Sequence, residues 1–155
     1  MKYLKLYEEL SSHYRVLNGD EYEDITYPNR KLVDAMPLNY TEQEAIIDLL
    51  KLKFKVNESL DHSEWIDNEV VIGFNKIESD VSCWVNLRTV EKRPPTKKYM
   101  KGRRVNGISH EIVVTKLEDE WFLVRGVWPG VSGSEEAKCD QLSGLLQYFT
   151  DRFNI

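Results

Sequence analysis

The chain has few of the residues that mark a specialised class of protein. It contains two cysteines, Cys83 and Cys139, too few for a disulfide framework or a four-cysteine zinc site. Both thiols are expected to stay reduced. It has three histidines, none in an H-E-x-x-H spacing. No apolar run approaches the ~18–20 residues of a membrane span, so no membrane partner is expected. The first residues, MKYLKLYEELSSHYR, carry acids and tyrosines where a signal peptide needs an apolar stretch. A cytoplasmic location follows as an expectation. Five prolines and eight glycines are too few for a collagenous or disordered chain. We find no internal repeat and no low-complexity tract.

What is present suits a globular core. The 155 residues are 41% hydrophobic, with four Trp, eight Tyr and five Phe. One ordinary domain over 1–155 is expected. Tyr3, Leu6, Tyr7, Leu10, Tyr14 and Leu17 recur at helical spacing, which predicts a helix over 3–17 closed by Asn18-Gly19. Residues 20–40 show no period. Thr41 to Glu44 matches a capping box and opens a second helix that buries Ala45, Ile46, Leu49 and Leu50. From Leu50 to Val56 the pattern has period two, either a helix tail or the start of a strand.

Four strands follow as two hairpins. Val70–Phe74 pairs with Val81–Val90, and Ile108–Leu117 pairs with Trp121–Trp128 across a charged turn. Residues 129–133 break the pattern. Cys139, Leu142, Leu145, Leu146, Phe149 and Phe153 then give a closing helix with Asp140 as its N-cap. The expected fold class is α+β: a mainly antiparallel sheet of about four strands, two N-terminal helices and a C-terminal helix.

The sharpest feature is electrostatic. Lys92 to Arg104 (KRPPTKKYMKGRR) holds seven positive charges and no negative one, in a chain of net charge -5. The remaining residues therefore carry fourteen basic groups against twenty-six acidic ones, a balance of -12. Such a segment is a contact surface for an anion or a solvated connection between strands. Residues 92–107 read as a basic, mobile loop. Arg93, Lys97, Lys98, Tyr99, Lys101, Arg103 and Arg104 are its candidate binding residues, since clustered cations neutralise phosphates and Tyr99 offers a stacking face.

Other constellations are weaker. His62 among Asp61 and Glu64, and His110 beside Glu111, are metal-ligand types without diagnostic spacing. Cys83 alternates with Val81 and Val85, as buried packing does. No serine sits in a G-x-S-x-G elbow, and residues 130–134 lack a phosphate-loop pattern. Glu136-Ala137-Lys138 matches the E-x-K triplet of metal-dependent nucleases, but reads as a polar stretch before a helix. No catalytic residue, metal ligand or cofactor is assigned.

The resulting expectation is a non-catalytic intracellular interaction protein, with a partner-binding, assembly or inhibitor (immunity-type) role. Its partner would be a protein or an anionic polymer reached through the basic loop. Two alternatives stand beside it. One is a nucleic-acid-binding protein using 92–104. The other is a small metal-dependent hydrolase or nuclease using the Asp61–Glu69 carboxylates and a histidine.

Overall fold

A computed structural model of the chain describes residues 13–17, 35–58, 66–76, 81–92, 105–117 and 121–155. They form a seven-stranded mixed sheet and two helices. In chain order the elements are β1 (Tyr14–Val16), α1 (Tyr40–Lys51), β2 (Lys55–Asn57), β3 (Glu69–Lys76), β4 (Val81–Lys92), β5 (Val105–Lys116), β6 (Trp121–Val127), β7 (Ser134–Asp140) and α2 (Gln141–Phe153). Across the sheet the order is β1-β7-β6-β5-β4-β3-β2. Every neighbouring pair is antiparallel except β2 with β3, which is parallel.

This corrects the expected four-stranded antiparallel sheet with three helices. The two expected hairpins are present as β3–β4 and β5–β6, but three further strands extend the sheet at both edges. Residues 1–12 lie outside the described residues, and 13–17 are not helical. Tyr14 and Val16 pair with Cys139 and Ala137 of β7. The Tyr14 ring stands 5.0 Å from that of Tyr148, and its hydroxyl donates to Asp151. Contacts more than a hundred residues away in sequence override the local helical period. At the other edge, the ambiguous 50–56 run contains both a helix end and a strand: α1 stops at Lys51 and β2 begins at Lys55.

Strand alternation divides the sheet into two faces. Val70 and Ile72, Cys83 and Val85, Ile112 and Val114, Phe122 and Val124, and Ala137 and Cys139 are buried in one core with the helices. From α1 this core takes Ile46 and Leu50, and from α2 it takes Leu145, Tyr148, Phe149 and Phe153. Trp128 is its hub, with the rings of Tyr148, Phe149 and Phe153 at 5.3, 5.8 and 4.8 Å in edge-on arrangements, the geometry that aromatic quadrupoles favour.

The start of α1 lies two residues earlier than the sequence pattern suggests. Asn39 is the N-cap: its side chain accepts from the Glu42 amide at 2.8 Å, and Glu42 accepts from the Asn39 amide at 2.9 Å. The preceding residue decides this. Leu38 donates its N–H to Asn75 Oδ1 at 2.7 Å and accepts from Asn75 Nδ2 at 3.1 Å, which ties the chain to β3 just before the helix. At α2, Asp140 is the cap residue, but its side chain makes no capping bond.

Gly144 is demanded by packing. A Cβ there would lie 2.3 Å from the carbonyl oxygen of His13, so only glycine lets α2 approach the start of β1.

Candidate functional site

The β4–β5 hairpin is longer than the sheet that supports it. β3 pairs with β4 only as far as Glu69 opposite Arg88. On the other side, β6 meets β5 from Ile112 onward. Beyond those limits Thr89↔Ile108, Val90↔Gly107, Glu91↔Asn106 and Lys92↔Val105 pair with each other. Among the described residues no third strand flanks these four pairs. At ~3.4 Å per residue they make an arm about 14 Å long. Gly107 and Ile108 on it and Ser109 at its root are exposed, Ile108 at 38%.

An isolated two-stranded ribbon is marginally stable, so the polar contacts at its root matter. Asn86 is buried on the face of the sheet away from the helices, and its Nδ2 donates to Ser109 Oγ at 2.6 Å. This bond joins β4 to β5 where the arm leaves the sheet. A slip by one residue would break it and place Asn86 on the apolar face. The Val90 N–H donates to Asp67 Oδ1 at 2.9 Å, and among the described residues no strand stands beside it there.

The candidate residues Arg93, Lys97, Lys98, Tyr99, Lys101, Arg103 and Arg104 lie outside the described residues. β4 ends at Lys92 and β5 begins opposite it at Val105, so in sequence the segment is what connects these two strands. Residues 105–107, read from sequence as part of the loop, belong to β5. Asp67, Asn86 and Ser109, which anchor the arm, gave no sequence signal.

The other candidates fall in structural settings. Glu136 and Lys138 lie on β7, not in a polar stretch before a helix. The strand neighbour opposite Glu136 is Arg125, and the one opposite Lys138 on the outer side is Arg15. A nuclease triplet needs an acid beside it; this one is flanked by cations. Lys138 Nζ instead sits 4.2 Å from the centroid of the Trp121 ring. Of the Asp61–Glu69 acids, Asp61 and Glu64 lie outside the described residues, as does His62. Asp67 holds Val90, and Glu69 is fully buried opposite Arg88. His110 is on β5 opposite Leu87. Among the described residues no group of three or more His, Cys, Asp or Glu side chains is placed to hold a metal ion. Cys83 and Cys139 are free and buried, and loss of solvation pushes both thiols well above their ordinary pKa, which suppresses the thiolate that reacts.

One open groove of about 480 Å³ lies where the first turns of both helices meet the end of β5, lined by Asn39, Thr41, Glu42, Lys116, Phe122, Gln141, Leu142 and Ser143. Its polar groups are committed to one another. Lys116 Nζ donates to Glu42 Oε1 at 2.8 Å, with both side chains about nine-tenths buried. Ser143 Oγ lies 3.0 Å from His13 Nδ1. These contacts pin β1, β5 and the helices together, and they leave no cation in the groove without its counter-charge.

Comparison with protein-family models, with curated proteins and with solved structures returned no match. Among the described residues no helix is long and apolar enough to cross a membrane.

Proposed function

We propose that the protein is a non-catalytic binding protein, cytoplasmic, that takes an anionic partner through the β4–β5 arm in an assembly or inhibitor-type role. One observation carries the reading: the segment of seven cations and no acid connects β4 to β5 after four strand pairs that no third strand flanks among the described residues. The segment's charge contrasts with a balance of -12 over the rest of the chain, and a cationic stretch in an acidic protein suits an anionic partner. Buried reduced thiols fit a reducing compartment.

The test compares the parent with a variant in which Lys97, Lys98, Lys101, Arg103 and Arg104 are replaced by Ser. Thermal melting should change little, because exposed charges each contribute little to stability. Retention on immobilised heparin at about 50 mM salt should be strong for the parent, weak at about 200 mM, and lost in the variant. Equal retention of parent and variant, or none for the parent, would reject the arm as the binding surface.

A further inference from the structure

We propose that the groove between the starts of both helices and the end of β5 is a binding site for a neutral saccharide. The groove is separate from the β4–β5 arm, and every residue that lines it is among those described. Its volume of about 480 Å³ falls within the ~300–1,000 Å³ of small-molecule pockets. Such pockets are mostly apolar, whereas six of these eight lining residues are polar or charged. That composition selects a ligand rich in hydrogen-bonding groups.

Charge decides against an ion. The two charged side chains of the lining, Glu42 and Lys116, are paired at 2.8 Å and about nine-tenths buried. Glu42 Oε1 also accepts from the Asn39 amide, which fixes the carboxylate in place. An anion would meet that carboxylate with Lys116 already engaged, and a cation would meet Lys116. Either would have to break a buried ion pair and leave one charge without its partner. A neutral ligand leaves the pair intact.

With its charges committed, the groove offers a ligand its neutral groups. Asn39 uses Oδ1 to cap α1, which leaves its Nδ2 hydrogens to donate. Thr41 and Gln141 stand exposed at the opening and add a hydroxyl and an amide, groups that both donate and accept. Sugar hydroxyls do the same. Phe122 and Leu142 supply the apolar part of the lining, against which the C–H face of a pyranose ring can rest. Gln141 adds an independent sign. It is the first residue of α2, and its φ is +60°, in the left-handed region that suits glycine and strains other residues. A glycine there would serve the fold at lower cost, yet the position holds a side-chain amide at the groove.

The experiment follows the backbone amide resonances of the isotope-labelled full chain. Glucose, galactose, mannose and N-acetylglucosamine are each added as the free sugar and as the methyl glycoside. Concentrations reach about 20 mM, well above the Kd of about 1 mM expected for a small polar ligand in an open groove. At least one sugar should move the amides of Thr41, Gln141, Leu142 and Ser143 along a saturating curve. Tighter binding of the methyl glycoside would mark the end of a glycan as the ligand, and tighter binding of the reducing form a free sugar. Gln141→Gly removes the amide and relieves the backbone, so its melting temperature should hold or rise while binding weakens about five-fold. Thr41→Val, of the same shape, should weaken binding by a similar factor. Inorganic phosphate and free glycine, a zwitterion, should leave the four amides unmoved. No movement with any sugar, larger movement with phosphate or free glycine, or undiminished sugar binding in both variants would overturn the assignment.

Discussion

The backbone N–H of Val90 donates to the carboxylate of Asp67 at 2.9 Å, two residues before β3 begins and two residues after β3 stops pairing with β4. A side chain thus takes over where the neighbouring strand ends. This closes one edge of the arm against further strand addition, a hazard of any exposed edge. Asp67→Ala should destabilise the fold by only about 0.5–1.5 kcal/mol, since the bond is solvent-exposed. It should, however, speed amide exchange of Val90 by more than that of Val85 in the sheet interior. Unchanged exchange at Val90 would mean that the edge is held by something else.

The approach of α2 to β1 rests on one missing side chain. Gly144→Ala would place a Cβ 2.3 Å from the His13 carbonyl, far inside contact distance, and the obstacle is backbone rather than a yielding side chain. We expect a loss of about 1–3 kcal/mol from overpacking, read by denaturant unfolding. The Tyr14–Asp151 contact should weaken with it. A melt within a degree of the parent would refute this account of the β1–α2 junction.

Leu145 and Phe149 are fully buried under α2. Replacing either by Ala should cost about 2–5 kcal/mol, because the transfer energy of the removed atoms and the cavity left behind add together. Phe149 also loses its edge-on contact with Trp128, at 5.8 Å. Tryptophan fluorescence during denaturation would report both effects.

Alkaline pH should loosen the same region. Burial, with the hydrogen bond to Asp151, pushes the Tyr14 phenol from its ordinary value of 10.0 up to about 12. Tyr148 is raised further, by burial and by its bond to Glu135 at 2.6 Å. A phenol whose folded pKa is raised holds its proton more tightly in the native state. Its stabilisation is therefore complete below pH 10 and is lost as pH rises through the folded value. Melting temperature should fall between about pH 10 and 12, and Tyr14→Phe should fall less steeply. An equal slope for the two proteins would show that Tyr14 does not contribute.

The sequence and the structure part company at identifiable residues. Val81–Val90 and Ile108–Leu117 were legible as strands by alternation, Val70–Phe74 as a β-branched apolar run and Trp121–Trp128 by its apolar residues on both faces. β7 was not: Ser134, Glu135, Glu136 and Lys138 read as solvated chain. In the fold, Glu135 accepts from Arg152 and Tyr148, Lys138 packs on Trp121, and Ala137 and Cys139 are enough to hold the core face. The N-terminal period was legible as a helix through 17 and failed at Tyr14, whose partners Cys139 and Tyr148 cannot be inferred from local spacing. The basic segment was plain in the sequence, yet its setting was not. Nothing in KRPPTKKYMKGRR says that it connects two strands paired as far as Lys92 and Val105.

Local chemistry alone determined the hairpin strands, the amphipathic helix from Leu142 to Phe153 and the concentration of cations between Lys92 and Arg104, whereas Cys139, read as the start of that helix, lies on β7. Each follows from periodicity, composition or charge within a short window. Tertiary structure alone decided that β1 and β7 join the sheet, that β2 lies parallel to β3, that Asn39 rather than Thr41 caps α1, and that the β4–β5 ribbon outruns its neighbours. These depend on partners distant in the chain: the strand offered by Cys139, the side chain of Asn75, the points at which β3 and β6 stop pairing. A short polar segment takes whichever hydrogen-bonding edge the rest of the fold presents to it, and that edge exists only once the core has assembled.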